Sequence, residues 1–275
     1  MREVPRRPSS RRPRLPPTRR SLGAAIIFFG AFFLCAARPV ITLGTSAYYP
    51  YTGVDLPRQG VVAALVNAAL SHQGYDVHIV FLPWTRVLTE VRNGRFDGIF
   101  PVWPLTVERN GLVGSPPLFQ SELGLYVRAG QRRQPSSLEG IRGKTVGTVR
   151  AYGYPLGLLD GILRDDAPDD PHNLIKLADG RFDQALEEHL VAEYLLRTQL
   201  SHLAGRVIWQ PPGIVRLPLM VGFSKGKPGH DRYLNDLTQG LEAIRKTGEY
   251  DQLVESNMES WQLDLIRQRT DPVPQ

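Results

Sequence analysis

From residue 40 onward, short runs rich in branched and aromatic residues alternate with longer segments whose apolar residues recur every three or four positions, and a glycine or proline stands at nearly every change. Residues 40–44 and 77–82 carry the first pattern. Residues 60–72 carry the second, with Val61, Leu65 and Ala68 on one helical face and Gly74 past its end. Pro83 opens another helix in which Trp84, Leu88 and Val91 share a face before Gly94, and residues 96–100 return to the β type. Strand, helix, strand, helix, strand in this order predicts an α/β fold, a mostly parallel sheet flanked by helices. A second set follows. Residues 123–128, 144–149, 174–177 and 206–209 read as strands, and residues 182–199 as mainly helical, with Leu186, Leu190 and Tyr194 four apart. Residues 217–223 read as a strand, and Tyr233, Leu237, Leu241 and Ile244 mark a helix that Gly248 ends. A short amphipathic segment spans 250–261, and the tail from Asp264, with Pro272 and Pro274, is expected to fray.

The net charge of +6 does not belong to this alternating region. Residues 1–37 hold eight arginines against one acid, Glu3, and the remainder has 25 basic and 26 acidic residues. No basic stripe is left to neutralise phosphates, which argues against a nucleic-acid partner. The N-terminus reads instead as a signal peptide: arginines up to Arg20, an apolar core over 22–34, then Cys35-Ala36-Ala37, with cleavage expected near Ala37. The sixteen residues from 22 to 37 are few for a membrane span, which needs roughly 20. An uncleaved anchor is the alternative, and Thr18-Arg19-Arg20-Ser21-Leu22 leaves the general and twin-arginine export routes both open. Cys35 is the only cysteine, so the mature chain has no thiol and suits an oxidising compartment.

Several chemistries lack their parts. There is no Gly-x-Gly-x-x-Gly, phosphate loop or Gly-x-Ser-x-Gly elbow. The six histidines never pair at zinc-ligand spacing with a supporting acid, and no metal or cofactor is expected. Glu187-Glu188-His189 is the densest titratable cluster, and its spacing alone fits a solvated helix face.

Four segments, "GTSAYYPYTG", "FLPWTRVLTEVRNGRFDGIFPVWPLTVERNGLVGSPPLF", "LEGIRGKTVGTVRAYGY" and "LADGRFDQALEE", resemble in order the signature segments of the family 3 extracellular solute-binding proteins, periplasmic receptors of amino-acid-type ABC importers. The likeness covers residues 39–260, and its most specific part sets Thr106 nine and Arg109 twelve residues after Asp97. It implies the type II periplasmic-binding-protein fold: two lobes joined by two crossing strands, near 118–122 and 215–219, with the ligand in the cleft between them. The implied divisions are a leader over 1–37, a first lobe over 38–120, a second over 121–217, a return to the first over 218–263, and a flexible tail over 264–275.

The same resemblance implies site roles. Arg109 would grip a ligand carboxylate as a bidentate partner, with Thr106 adding a hydroxyl or capping the following helix. Tyr48 and Trp84 would sandwich an apolar or cationic group. Glu188 stands where the family usually pairs an aspartate with an ammonium, and Gly153 and Tyr152 belong to the second-lobe loop that reaches the ligand. Trp103 and Arg86 complete the candidate set. Pro104 has no N–H to offer where the family commonly presents one, so the amino-acid clamp is incomplete. The expected function is capture of a small carboxylate-bearing metabolite by a monomer and its delivery to an ABC permease in the inner membrane, with no catalysis. A periplasmic dehydratase using Glu188 as general acid and a sensing module for a separate partner are the alternatives.

Overall fold

The structure, a computed structural model, describes residues 37–131 and 137–270. The chain divides between Ala37 and Arg38 into two units, and the second is the one described. The leader, Cys35 and the last five residues lie outside the described residues.

In the first lobe β1 (Val40–Thr45) leads through α1 (Val61–His72) to β2 (Asp76–Phe81), and α2 (Trp84–Arg92) leads to β3 (Gly98–Val102). β1 pairs in parallel with both β2 and β3, as crossover helices require. α3 (Pro104–Arg109) and β4 (Leu112–Gly114) complete this part. In α1, Val61, Val62, Leu65, Val66 and Leu70 are all fully buried. Each such side chain contributes about 1.5–3 kcal/mol of gross burial, which offsets the helix's weak local signals.

The second lobe runs β5 (Phe119–Arg128), α4 (Leu138–Ile141), β6 (Thr145–Val149), β7 (Leu163–Ala167), α5 (Asp170–Ala178), β8 (Gln184–Glu188) and α6 (His189–Arg197). β9 (Val207–Ser224) then re-enters the first lobe, where α7 (His230–Lys246), α8 (Glu249–Asn257) and α9 (Ser260–Thr270) follow. The strands lie in the order β2-β1-β3-β9-β5-β8-β6-β7, with β4 beside β9. β9 pairs antiparallel with β3 at one end and with β5 along the rest, Phe119 facing Leu219 and Leu123 facing Val215. These two long strands are the crossings between the lobes.

Four local readings change. Residues 174–177 belong to α5 and not to a strand, because the Asp169 side chain accepts the His172 N–H at 3.0 Å and Pro171 suits a first helical turn. Residues 182–199 are not one helix. β8 ends at Glu188, whose Oε2 accepts the Val191 N–H at 2.8 Å and starts α6. β7 was not foreseen, since its Leu-Arg-Asp-Asp-Ala sequence reads as polar; it lies at the edge of the sheet, where such a strand is tolerated. Where fraying was expected from Asp264, α9 continues to Thr270.

Candidate ligand-binding cleft

The loops after β1, β3 and β6 meet across the lobe boundary, and a small cavity opens there. Open α/β sheets place ligands at such strand ends. Its wall takes Ser46 and Tyr48 from the loop after β1, Trp84 from the start of α2, Pro101, Val102 and Trp103 from the end of β3, and Thr106 from α3. Tyr152 and Gly153, in the loop after β6, form the opposite side, and Leu219 on β9 the back.

Aromatic rings dominate this wall and are held firmly. Tyr48 and Tyr152 meet edge to face across the boundary at 6.0 Å and 84°, and Trp103 meets Tyr152 at 5.4 Å and 86°. Trp103 Nε1 donates to Ser121 Oγ on β5 at 3.0 Å, and that hydroxyl donates to the Leu217 carbonyl on β9, so one ring is tied to both crossing strands. Trp84 Nε1 donates across the boundary to the Ala151 carbonyl at 3.2 Å. Ala151 turns that carbonyl outward by adopting a left-handed φ of 64°, which costs an alanine about 1 kcal/mol. Gly153 lies directly on α3: a Cβ there would stand 2.2 Å from Thr106 Oγ1 and 2.7 Å from its backbone N.

Six of the nine sequence-selected residues thus meet at the cavity: Tyr48, Trp84, Trp103, Thr106, Tyr152 and Gly153. Thr106 lies inside α3 and does not cap it; Trp103 occupies the capping position, and Pro104 fills the first turn, where a missing N–H does no harm. The other three lie elsewhere. Arg109 is exposed in the last turn of α3, where a cation favours the helix dipole. Arg86 is tied to Glu90 at 2.5 Å, and Arg95 binds the same carboxylate. Glu188 is buried, but its Oε2 caps α6 and its Oε1 accepts the Glu122 N–H at 3.1 Å and the Tyr51 hydroxyl at 3.3 Å. Its oxygens hold the two lobes and two elements together, off the cavity wall.

Behind Tyr152 lies a group that sequence reasoning missed. Tyr152 Oη donates to Asp170 Oδ2 at 2.6 Å; Asp170 neighbours Glu187, and Asn173 Nδ2 donates to Glu187 Oε1 at 2.8 Å. Burial pushes the Asp170 carboxyl up to about 6, although Tyr152 and the helix N-terminus oppose it. Burial and the neighbouring Asp170 raise Glu187 well above the usual carboxylate range. Burial likewise raises the phenols of Tyr48, Tyr152 and Tyr154. The solvated helix face expected for Glu187 and Glu188 is instead a buried strand, each residue 1% exposed. The Asp-Asp-Pro run at 169–171 was the available signal for Asp170, since it marks a helix start.

The profile of the bacterial extracellular solute-binding proteins, family 3, matches residues 41–260. No curated protein matches the sequence. Among solved structures, a histidine kinase sensor domain with similarity to periplasmic binding proteins is 20% identical, with a TM-score of 0.71 over 81% of this chain and 97% of that one. A variant of ArgBP from T. maritima is 18% identical, with a TM-score of 0.66 over 79% of this chain and 94% of that one. The substrate binding protein of an amino acid ABC transporter is 17% identical, with a TM-score of 0.63 over 80% and 99%. These likenesses show a shared two-lobed fold. With the profile spanning both lobes and the cleft between them, the chain belongs to the bacterial extracellular solute-binding proteins, family 3.

Proposed function

We propose that this protein is an exported receptor that captures a small organic solute in the interlobe cleft and delivers it to an ABC permease in the inner membrane. It acts in the periplasm as a monomer, after loss of the leader near Ala37, and catalyses no reaction. The observation that carries this reading is a single cavity whose aromatic wall comes from both lobes. Closure of such lobes around a ligand is an established mode of capture. The substrate binding protein of an amino acid ABC transporter and ArgBP, which share the fold, support the transport role.

The ligand contacts in this reading are Tyr48, Trp84, Trp103, Thr106, Tyr152 and Gly153. The carboxylate grip implied for Arg109 has no support in the geometry, since no basic side chain lines the cavity among the described residues. Glu188, the acid of the dehydratase alternative, accepts from the backbone N–H groups of Glu122 and Val191, which supports the binding reading over that one.

Thermal unfolding in the presence of amino acids, amines, organic acids and sugars tests the proposal. A solute confined to the folded cleft adds about 2.7 kcal/mol at a hundredfold excess over Kd. The gain should vanish in Trp84→Ala and Tyr152→Ala and persist in Arg109→Ala. A gain untouched by the first two would place the solute elsewhere, and no gain with any solute would overturn the reading. The likeness to a histidine kinase sensor domain favours one other role, signalling of closure to a separate partner. Uptake of the bound solute by cells lacking the protein separates the two: lost uptake means import, and normal uptake with a lost response means sensing.

A further inference from the structure

The electrostatics of the cleft come from behind its wall. The lining side chains are uncharged, and acids stand behind them: Asp170 under Tyr152, Glu187 beyond it, and Glu188 beside Tyr51. Tyr48 feels both Glu188 and Asp170, and its hydroxyl is buried without a partner in the structure. The basic groups near the rim are engaged elsewhere or turned outward, Arg86 on Glu90 and Arg109 and Arg150 in solvent. Aromatic faces over a negative floor attract a cation.

The Asp170–Glu187 contact has a further property. Asp170 Oδ1 and Glu187 Oε2 are buried, and neither has a hydrogen-bond partner in the structure. Two neighbouring buried carboxylates cannot both be ionised at low cost, so the pair retains a proton. We propose that the cleft selects a small organic cation, seated against Tyr48 and Tyr152, and that the buried Asp170–Glu187 pair reads its charge through the Tyr152 hydroxyl, so that binding releases a proton to solvent. This rests on the cleft being the solute site.

The surroundings leave this pair as the responsive element. Asp169 precedes Asp170 on α5, and its carboxylate is spent on His172. From the loop after β6, Tyr152 and Tyr154 lie near the pair, and from the first lobe Tyr48. The charges on β7 are mutually satisfied, Arg164 with Asp166 and Asp165 with Lys176. On α6, Glu193 serves Tyr126 and Arg197. Among the described residues no cation pairs with Asp170, so a ligand can supply that role. Protonation of Asp170, with its midpoint at about 6, removes the attraction; affinity for a cation therefore falls as pH drops through that value and levels off above it.

Calorimetric titration of the purified protein from about pH 5 to about pH 8, in buffers of different ionisation enthalpy, tests this. The probes are agmatine, putrescine and tetramethylammonium, with alanine, succinate and glucose as zwitterionic, anionic and neutral comparisons. The expected result is binding of at least one cation probe with proton release, and affinity falling up to tenfold per pH unit below the midpoint. Asp170→Asn should flatten the profile. Tyr152→Phe removes the donor that favours ionised Asp170 and should move the midpoint upward while binding persists, a displacement that loss of packing would not produce; it also decides the matter if Asp170→Asn does not fold. Cation binding with neither proton release nor pH dependence would overturn the proposal. Binding of a comparison solute in the cleft but of no cation probe would overturn it and leave the solute-receptor reading intact. Binding of no probe of any class would overturn it together with that reading.

Discussion

At Gly153 the two lobes come so close that a single methyl group separates two outcomes. A Cβ on this residue would stand 2.2 Å from Thr106 Oγ1, and the backbone N of Thr106 is only 2.7 Å away, so the threonine side chain cannot simply rotate aside. Gly153→Ala should therefore leave each lobe folded and hold the cleft ajar, weakening ligand by about tenfold or more while the ligand-free unfolding midpoint stays nearly constant. A fluorescence titration using Trp84 and Trp103 measures it; unchanged affinity would mean that capture does not need this approach. Asp170 carries a second residue-scale consequence. Its carboxyl titrates near 6 when folded, above the ordinary 3.8, so the folded state holds the proton more tightly than the unfolded chain. Stability from this group is present at low pH and is lost as pH rises from about 4 to about 6. Asp170→Asn should flatten that segment of a urea-denaturation series, and a persisting fall would assign it to another group.

At the scale of elements, the sequence was readable where burial on one face set a period and unreadable where a cap set a boundary. α1 and α2 appear where their apolar spacing puts them, because Leu65, Leu88 and Val91 face a core that selects for that spacing. The β8–α6 junction hides in the same kind of spacing. Leu186 is on a strand while Leu190 is on a helix, yet both are fully buried, so their four-residue interval imitates one continuous helix. The division is made by the Glu188 carboxylate on the Val191 N–H, a three-dimensional contact with no hydrophobic signature. The cleft was legible in its aromatics and glycine through the resemblance, whose signature segments carry Tyr48, Trp84, Tyr152 and Gly153. Asp170 and Glu187 were not, because a carboxylate in sequence looks the same whether solvated or buried. α5 shows what a cap is worth. Asp169→Ala leaves the His172 N–H without its acceptor and should lower stability by about 1 kcal/mol. A shifted urea midpoint with an unchanged slope is the expected outcome, and no shift would mean that solvent replaces the cap.

For the whole molecule, motion between the lobes is limited to what β5 and β9 permit, and α9 lies across them. Trp261 stacks under the Arg197 guanidinium of α6, 4.4 Å from its ring centre, and so reaches the second lobe. The Gln268 carbonyl accepts from Arg216 on β9, and Leu263 and Ile266 cover a groove between residues 117–120 and α8 in the first lobe. One helix therefore touches both bodies and the hinge between them. An exposed cation–π contact contributes only about 0.5–1 kcal/mol, so α9 cannot hold the lobes together by that contact alone. Arg197→Ala should release the second-lobe end of α9 with little loss of global stability and shift the ligand-free ensemble toward open lobes. Small-angle scattering would register a larger radius of gyration in the variant, reversed by saturating ligand. An unchanged radius without ligand would show that the hinge strands alone set the lobe angle.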